Sequence, residues 1–399
     1  MSTNKLNKKL IKNAKNRELL YAEAQEKVIS KQRQALKNKQ KKTLRTKQFN
    51  NTKSLLNSFS HTKPTNFRAL YYTTLSRNFI LDISDKSHGS PFMLLSSSLR
   101  NSIVESSGGP VFEKNPMWSP TVVLTGPELH HVSKHIENTK TTNRVLQVSL
   151  RALQSITKKD RNTAASVSVC KFLIKKHLEQ AYLFEKLLVK SYSECDYVVK
   201  FWGPLVEKVF KTTSTIPHWG DTIPGSIISL GMKMKMDLRL VVTNSSELQD
   251  HGYGEVAKEC STSKYFKDKR KTVVASKALL NSIVQQNAIN HEKDCVYIPY
   301  LIAMGFDMHL CVVFLKSNNF YITKKVKTIV FPSTLENFAI ESIEVVNGLL
   351  NLVAICEAIQ KQSRRGKKRK IIDSCIGNIT MNKKQYGISK VFWDKVSYL

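Results

Sequence analysis

From Ser191 onward the apolar positions keep a regular period. In "SYSECDYVVKFWGPLVEKVF" the apolar residues fall at 197, 198, 201, 202, 205, 206, 209 and 210, one broad stripe of a helix. Glu194 projects onto that stripe, while Asp196 and Glu207 project to the opposite side. A Gly- and Pro-punctuated stretch, "TIPHWGDTIPGSIISLG", leaves room for a short strand at 226–230. "MKMDLRL" then alternates strictly, with Met234, Met236, Leu238 and Leu240 on one face and Lys235, Asp237 and Arg239 on the other. Residues 244–252 read as the turn into a partner strand, "GYGEVAK". After it "SKYFKDKRKTVVASKALLNSIVQQN" reads as a basic amphipathic helix, followed by strands at "CVYIPYLIAM", "DMHLCVVFL" and "FYITKKV". A last amphipathic helix spans 335–360 through Phe338, Ile343, Val346, Leu349, Leu350, Val353 and Ile355. Helix, strands, helix, strands is an α/β pattern.

Upstream the periodicity weakens. Residues 143–190 are mostly helical in spacing, through Leu146, Leu150, Leu153 and Ile156 and then Leu173, Ile174, Leu178, Leu183 and Leu187. Residues 63–140 are rich in Ser, Thr and Asn with scattered Pro and Gly, which predicts a loosely structured or peripheral region. The first 50 residues hold 15 Lys or Arg and 3 Glu around a ragged apolar stripe. The expected organisation is therefore a basic arm, disordered or helical, over 1–62; a loose and then helical region over 63–190; an α/β domain over 191–360; and a basic tail over 361–399.

Charge turns this outline toward a partner. Against 31 Asp and Glu stand 63 Lys and Arg, a net charge of +32, and so basic a chain attracts a polyanion, nucleic acid first among them. No run of about 18 apolar residues is visible, so the expectation is a soluble protein that does not span a membrane. Seven cysteines stand singly with no CxxC pair, which suits reduced thiols inside a cell. The N-terminus has no apolar signal core, and Glu18, Glu23 and Glu26 argue against a mitochondrial presequence. In "RRGKKRK", Arg364, Arg365, Lys367, Lys368, Arg369 and Lys370 form a block suited to a nuclear import receptor or to a second nucleic-acid patch. The plainer reading of the block is a charged helix end.

Candidate chemistry centres on Asp237 and Glu255. An acid flanked by Lys235 and Arg239 on the face away from the core is a poor place for structural charge alone. If the hairpin brings Asp237 beside Glu255, the two carboxylates can share Mg²⁺, a hard cation that takes oxygen ligands. A lysine nearby would orient the attacking water and offset charge on a phosphoryl transition state. Glu255 shares its face with Ala257, whereas Lys258 points away unless a bulge intervenes. His131 and His135, four apart in "HHVSKH", have ligand spacing but no third partner. Neither GxGxxG, GxxxxGK[ST] nor GxSxG occurs, which removes dinucleotide, P-loop and nucleophile-elbow enzymes from consideration.

The order of Glu194 in a helix, Asp237 on a strand, Glu255 with a lysine on the next strand and then a basic helix resembles the core of the PD-(D/E)XK nuclease superfamily. The wider run "SECDYVVKFWGPLVEKVF", "WGDT", "MKMDLRLV" and "GEVAK" is also similar to a group of uncharacterised fungal proteins. The resemblance covers about 191–315. It implies a restriction-endonuclease-like mixed sheet flanked by helices, with Asp237, Glu255 and Glu194 as Mg²⁺ ligands and Lys258, or Lys235 in its place, as the catalytic amine. Ala257 stands where the family pattern has its lysine, and Met236 where it has a proline. The helix that follows would hold a phosphate backbone through Lys264, Lys267, Lys269, Arg270, Lys271 and Lys277. The function expected is a nuclear, nucleic-acid-acting protein, as a Mg²⁺-dependent nuclease or as an inactive binder of the same fold. A nuclear scaffold is the third reading. Plainer roles compete at each position: Ser191 and Glu194 fit a capping box, and Lys235, Asp237 and Arg239 fit a surface ion-pair cluster.

Overall fold

The computed structural model of the protein describes residues 30, 31, 34, 50–107, 142–156, 160–243, 248–287, 295–317, 319–375 and 388–393, without the side chains of 106 and 364–375. The chain divides into two compact units, Met1–Ser54 and Leu55–Leu399. Among the described residues the second contains seven strands: β1 Ile80–Asp82, β2 Thr215–Thr222, β3 Met236–Thr243, β4 Leu248–Ala257, β5 Tyr297–Met304, β6 Asp307–Ser317 and β7 Phe320–Val330. They form one mixed sheet in the order β1-β7-β6-β5-β4-β3-β2. β2, β3 and β4 run antiparallel, β4 and β5 are parallel, β5, β6 and β7 are antiparallel, and β1 joins β7 in parallel.

Helices flank the sheet. The main ones are α1 Phe67–Arg77, α2 Asn143–Ser155, α3 Arg161–Glu179, α4 Glu194–Tyr197, α5 Gly203–Phe210, α6 Thr262–Asn287 and α7 Phe338–Cys375. Parallel neighbours need a crossover, and α6 supplies the one between β4 and β5. It packs on β4, β5 and β6 and against α1, while α7 packs on β7, β5 and β4 with α3 and α5 beside it. β5 is buried along nearly its whole length, which explains why "YIPYLIAM" is continuously apolar instead of alternating. α7 lies close on β7: a Cβ on Gly348 would collide with the Ile329 side chain.

α4 and α5 are two ends of one helical run, joined by a π turn at Val198–Trp202. The extra residue brings Gly203 against the Val198 carbonyl, where a Cβ would stand only 2.5 Å from the oxygen, so the "WGP" sequence has a steric reason. Trp202 anchors the run, its indole N–H donating to the Gly305 carbonyl at 2.8 Å. Phe201 packs on Phe306 and Phe331 with ring centroids 5.0 and 5.1 Å away.

Several expectations change here. The α/β class holds, but the compact unit is wider than 191–360. α1 is capped by Asn66, whose side chain accepts from Ala69 N–H, and β1 inserts Ile80 and Leu81 beside β7 fully buried, so 67–107 is not peripheral. His131 and His135 lie outside the described residues, as does nearly all of the basic arm. Residues 226–230 hold no strand: Gly225–Ile228 is a short helix and the strand is β2. β4 begins at Leu248, so the turn is shorter than 244–252. Within the tail, 388–393 return to the fold: Asn281 donates to the Ser389 carbonyl, Lys277 to the Lys390 carbonyl and Asn78 to the Phe392 carbonyl. The stretch Phe338–Ser363 of α7 is long and apolar enough to cross a bilayer, contrary to the reading that no such run exists, and 67% of its apolar window is buried inside the fold.

β1 is held by a charge. Lys269 of α6 forms a buried ion pair with Asp82, which also accepts from the Tyr71 hydroxyl at 2.7 Å and from Ser84 N–H at 2.9 Å. Both charged side chains are 4% exposed, so the lysine is needed to neutralise a carboxylate that water does not reach. Lys269→Met should lower unfolding free energy by about 3–5 kcal/mol in urea titrations, because it strands the Asp82 charge. Adding Asp82→Asn, which keeps acceptors for Tyr71 and Ser84 and removes that charge, should restore part of the loss. A double variant as unstable as the sum of the two single ones would show that the stranded charge is not the cause.

Candidate functional site

The β3–β4 ladder pairs Leu238 with Gly254 and Arg239 with Tyr253. One step further along the same register sets Asp237 opposite Glu255, and directly opposed residues of antiparallel strands point to one face. Asp237 is half-buried, and its Oδ2 accepts the Val256 N–H at 2.8 Å, tying the carboxylate to the end of β4. Glu255 is 2% exposed. Its Oε2 is ion-paired to Lys271 of α6, and its buried Oε1 has no hydrogen-bond partner.

α6 brings more than the amine. Lys264, Asp268 and Lys271 recur at i, i+4 and i+7 and so share one face of the helix. Asp268 is 2% exposed. The Lys264 ammonium lies 3.3 Å from Asp268 Oδ2 and 3.2 Å from Glu194 Oε1, joining α4 to the same cluster. Four carboxylates, Glu194, Asp237, Glu255 and Asp268, are thus gathered around two ammonium groups.

Burial, more than the imbalance, shifts two of these acids, Glu255 and Asp268. Burial pushes the Glu255 carboxyl up to about 8, and the neighbouring Asp237 and Asp268 charges add to the rise against the pull of Lys271. Burial also raises Asp268, where Asp237 adds repulsion and the two lysines oppose it. Lys264 is raised: burial works against its charge, but Asp268 and Glu194 outweigh it. In such a buried cluster a proton, or a cation, on the unpartnered carboxylate oxygen relieves the repulsion among the acids. Among the described residues, however, no group of three or more His, Cys, Asp or Glu side chains is placed to hold a metal ion.

The amine that meets Glu255 is neither Lys258 nor Lys235. Lys258 is exposed just past β4, and Lys235 is exposed and paired with Asp221 at 3.1 Å. The bulge in this hairpin lies at Leu240/Val241, too far away to turn Lys258 inward. Ala257 is buried, and Lys271 reaches Glu255 from the helix instead. Arg239 does not line an open face either: it is 9% exposed and donates to Asp250 at 2.7 Å. Nor does Glu194 cap its helix from Ser191. The box is formed by Ser193 and Asp196, leaving Glu194 to pair with Lys264.

The phosphate-holding role expected of α6 also needs correction. Lys269 is held by Asp82, and Lys264 and Lys271 are engaged with the acids. Arg270 is 7% exposed and lies 4.3 Å from the centroid of the Trp393 ring. Lys277 is wholly buried and donates to the carbonyls of Asn78 and Lys390 at 3.0 and 2.7 Å. Lys267 is exposed. For Arg364, Arg365, Lys367, Lys368, Arg369 and Lys370 the backbone continues α7, and their side chains lie outside the described residues. The member that sequence reading missed is Asp268, though a lone acid in "KYFKDKRK", four after Lys264 and three before Lys271, was the available signal. Compared with known proteins, the chain matches no family model, and no curated protein or solved structure matches it significantly.

The sign of the pH dependence follows from Glu255. Its folded value, about 8, lies above the ordinary 4.5, so its contribution to stability is fully present below 4.5 and is lost as pH rises to about 8. Glu255→Gln removes this titration. The variant should therefore match or trail the parent at pH 4.5 and gain on it steadily up to about pH 8, as read by urea unfolding across that range. A constant difference across the window would mean that Glu255 titrates at its ordinary value.

Proposed function

We propose that the chain is a nucleic-acid-acting protein whose centre is a PD-(D/E)XK-like, Mg²⁺-dependent phosphodiesterase on a restriction-endonuclease-like sheet. The observation that carries the proposal is the unpartnered, buried Oε1 of Glu255 beside Asp237 and Asp268, with the Lys271 ammonium on the other oxygen. The element order supports it too. A helix bearing Glu194, a strand bearing Asp237, an antiparallel strand bearing Glu255 and a charged helix succeed one another as in the superfamily core.

The donors suit Mg²⁺, which binds through one or two carboxylates and completes its shell with water and phosphate oxygens; a cage of three acids is unnecessary. When bound, such an ion would lower the pKa of a water and draw charge from the phosphoryl oxygens. Asp237 and Glu255 would hold it, with Asp268 adjoining. Lys271 would orient the water for in-line attack on phosphorus and offset negative charge as the bond to the leaving oxygen breaks. Lys264, by bridging Glu194 and Asp268, keeps α4 and α6 at a fixed distance across the site. Import through the "RRGKKRK" block would place this activity in the nucleus.

A second reading is favoured by Ala257. With the expected lysine absent and Lys271 already paired to Glu255, the same fold would serve as a binder that does not cut. Incubation of the purified protein with plasmid and with single-stranded oligonucleotide, in Mg²⁺ or EDTA, separates the two. Under the first reading Mg²⁺-dependent cutting is seen. Lys271→Met then lowers the rate by about 10²–10⁴-fold, Asp237→Ala and Glu255→Gln abolish it, and Lys258→Ala and Lys235→Ala leave it unchanged. Retention of nucleic acid without cutting by the parent protein would leave the binder.

A further inference from the structure

α3 and α5 carry charge of a different kind. Along α3, Lys171, Phe172, Lys175, Lys176 and Glu179 recur at helical spacing on one stripe, and together with Lys208 of α5 they line a groove of about 320 Å³. The groove contains four lysines and one acid. Glu179 lies 3.6 Å from Lys175, while Lys171, Lys176 and Lys208 form no ion pair among the described residues. Those three lysines are half-buried, so water screens them less than it screens an ordinary surface lysine.

Their ammonium groups are positioned. Lys176 and Lys208 each lie 5.3 Å from the centroid of the Phe172 ring, and Lys176 also donates to Gln180 Oε1 at 2.6 Å. Burial and the charge of Lys200 both weaken the Lys176 ammonium. Lys200, on the π turn next to α4, is itself paired with Asp196. Like charges gathered on one face with a single counter-charge among them destabilise the free protein, and an anion seated between them removes that repulsion. The contrast with α6 is direct: there each buried lysine has an internal partner.

We propose that this groove binds the phosphodiester backbone of a nucleic-acid strand, with Lys171, Lys176 and Lys208 as phosphate ligands and Phe172 holding two of them in place. A concave site between two helices fits a narrow, flexible chain of phosphates better than the plane of an anionic bilayer, and the ring floor with flanking cations is the arrangement of a strand-tracking groove. The inference goes beyond the cleavage reading and holds whether or not the chain cuts.

The test uses the full chain in EDTA, carrying Glu255→Gln, so that a failure of cleavage has no bearing on it. A labelled single-stranded oligonucleotide is titrated by fluorescence anisotropy at several salt concentrations, and lysine acetylation is mapped by mass spectrometry with and without it. Lys171, Lys176 and Lys208 should be protected. The double variant Lys171→Gln/Lys208→Gln should reduce the salt slope by roughly 1.4, about 0.7 for each lost contact to a single strand. Lys233→Gln, exposed and remote in sequence from both helices, should reduce it by no more than one contact. Unprotected lysines together with an unchanged slope would overturn the proposal. So would protection by anionic phospholipid vesicles but not by the oligonucleotide, which would assign the groove to a lipid surface.

Discussion

A helix buried over most of its length has to neutralise its buried charges internally, and α6 is such a helix. It crosses from β4 to the parallel β5 under α1, so its buried ionic side chains, unlike the exposed Lys267, meet protein instead of water. Lys269 meets Asp82 and thereby fixes β1; Lys277 meets the carbonyls of Asn78 and Lys390 and thereby fixes the returning tail. Burial drives the Lys277 ammonium down to about 7, so the contact is held by carbonyl dipoles without a counter-ion. Each of these groups is costly when isolated and neutral or favourable when paired, which makes the positions of α1, β1 and residues 388–393 depend on one another.

On the Lys264–Asp268–Lys271 face the ion pairing is uneven. Two ammonium groups serve four carboxylates, and one oxygen of Glu255 is left with no hydrogen bond. Asp82 meets three donors, whereas the buried Oε1 of Glu255 meets none. The groove on α3 is the opposite case, with positive charge left over. On the proposed reading the first place would take a cation and the second a polyanion, the combination that phosphodiester chemistry needs.

The periodic elements of the second half of the chain were legible, because alternation in "MKMDLRL" and the apolar runs of β5, β6 and β7 depend only on which faces are buried. The pairing of Asp237 with Glu255 was legible for the same reason: a short hairpin has few registers that keep Met236, Leu238 and Leu240 inside. β1 was not legible. Three residues, "ILD", carry no period, and their place is decided by β7 and by Lys269, which lie 187 or more positions away. The amine at Glu255 was hidden in the same way, since strand periodicity describes Ala257 and Lys258 but says nothing of a lysine arriving from the next helix.

The sequence by itself determined the α/β class, the β3–β4 hairpin with its two acids and the excess of positive charge, all of which follow from local spacing and composition. Tertiary structure alone decided which lysines are buried in ion pairs and which line an open groove. A charged side chain carries the same formal charge in both settings, and only the depth of its burial and the partner brought to it across the sheet determine whether that charge serves the fold or remains for a ligand.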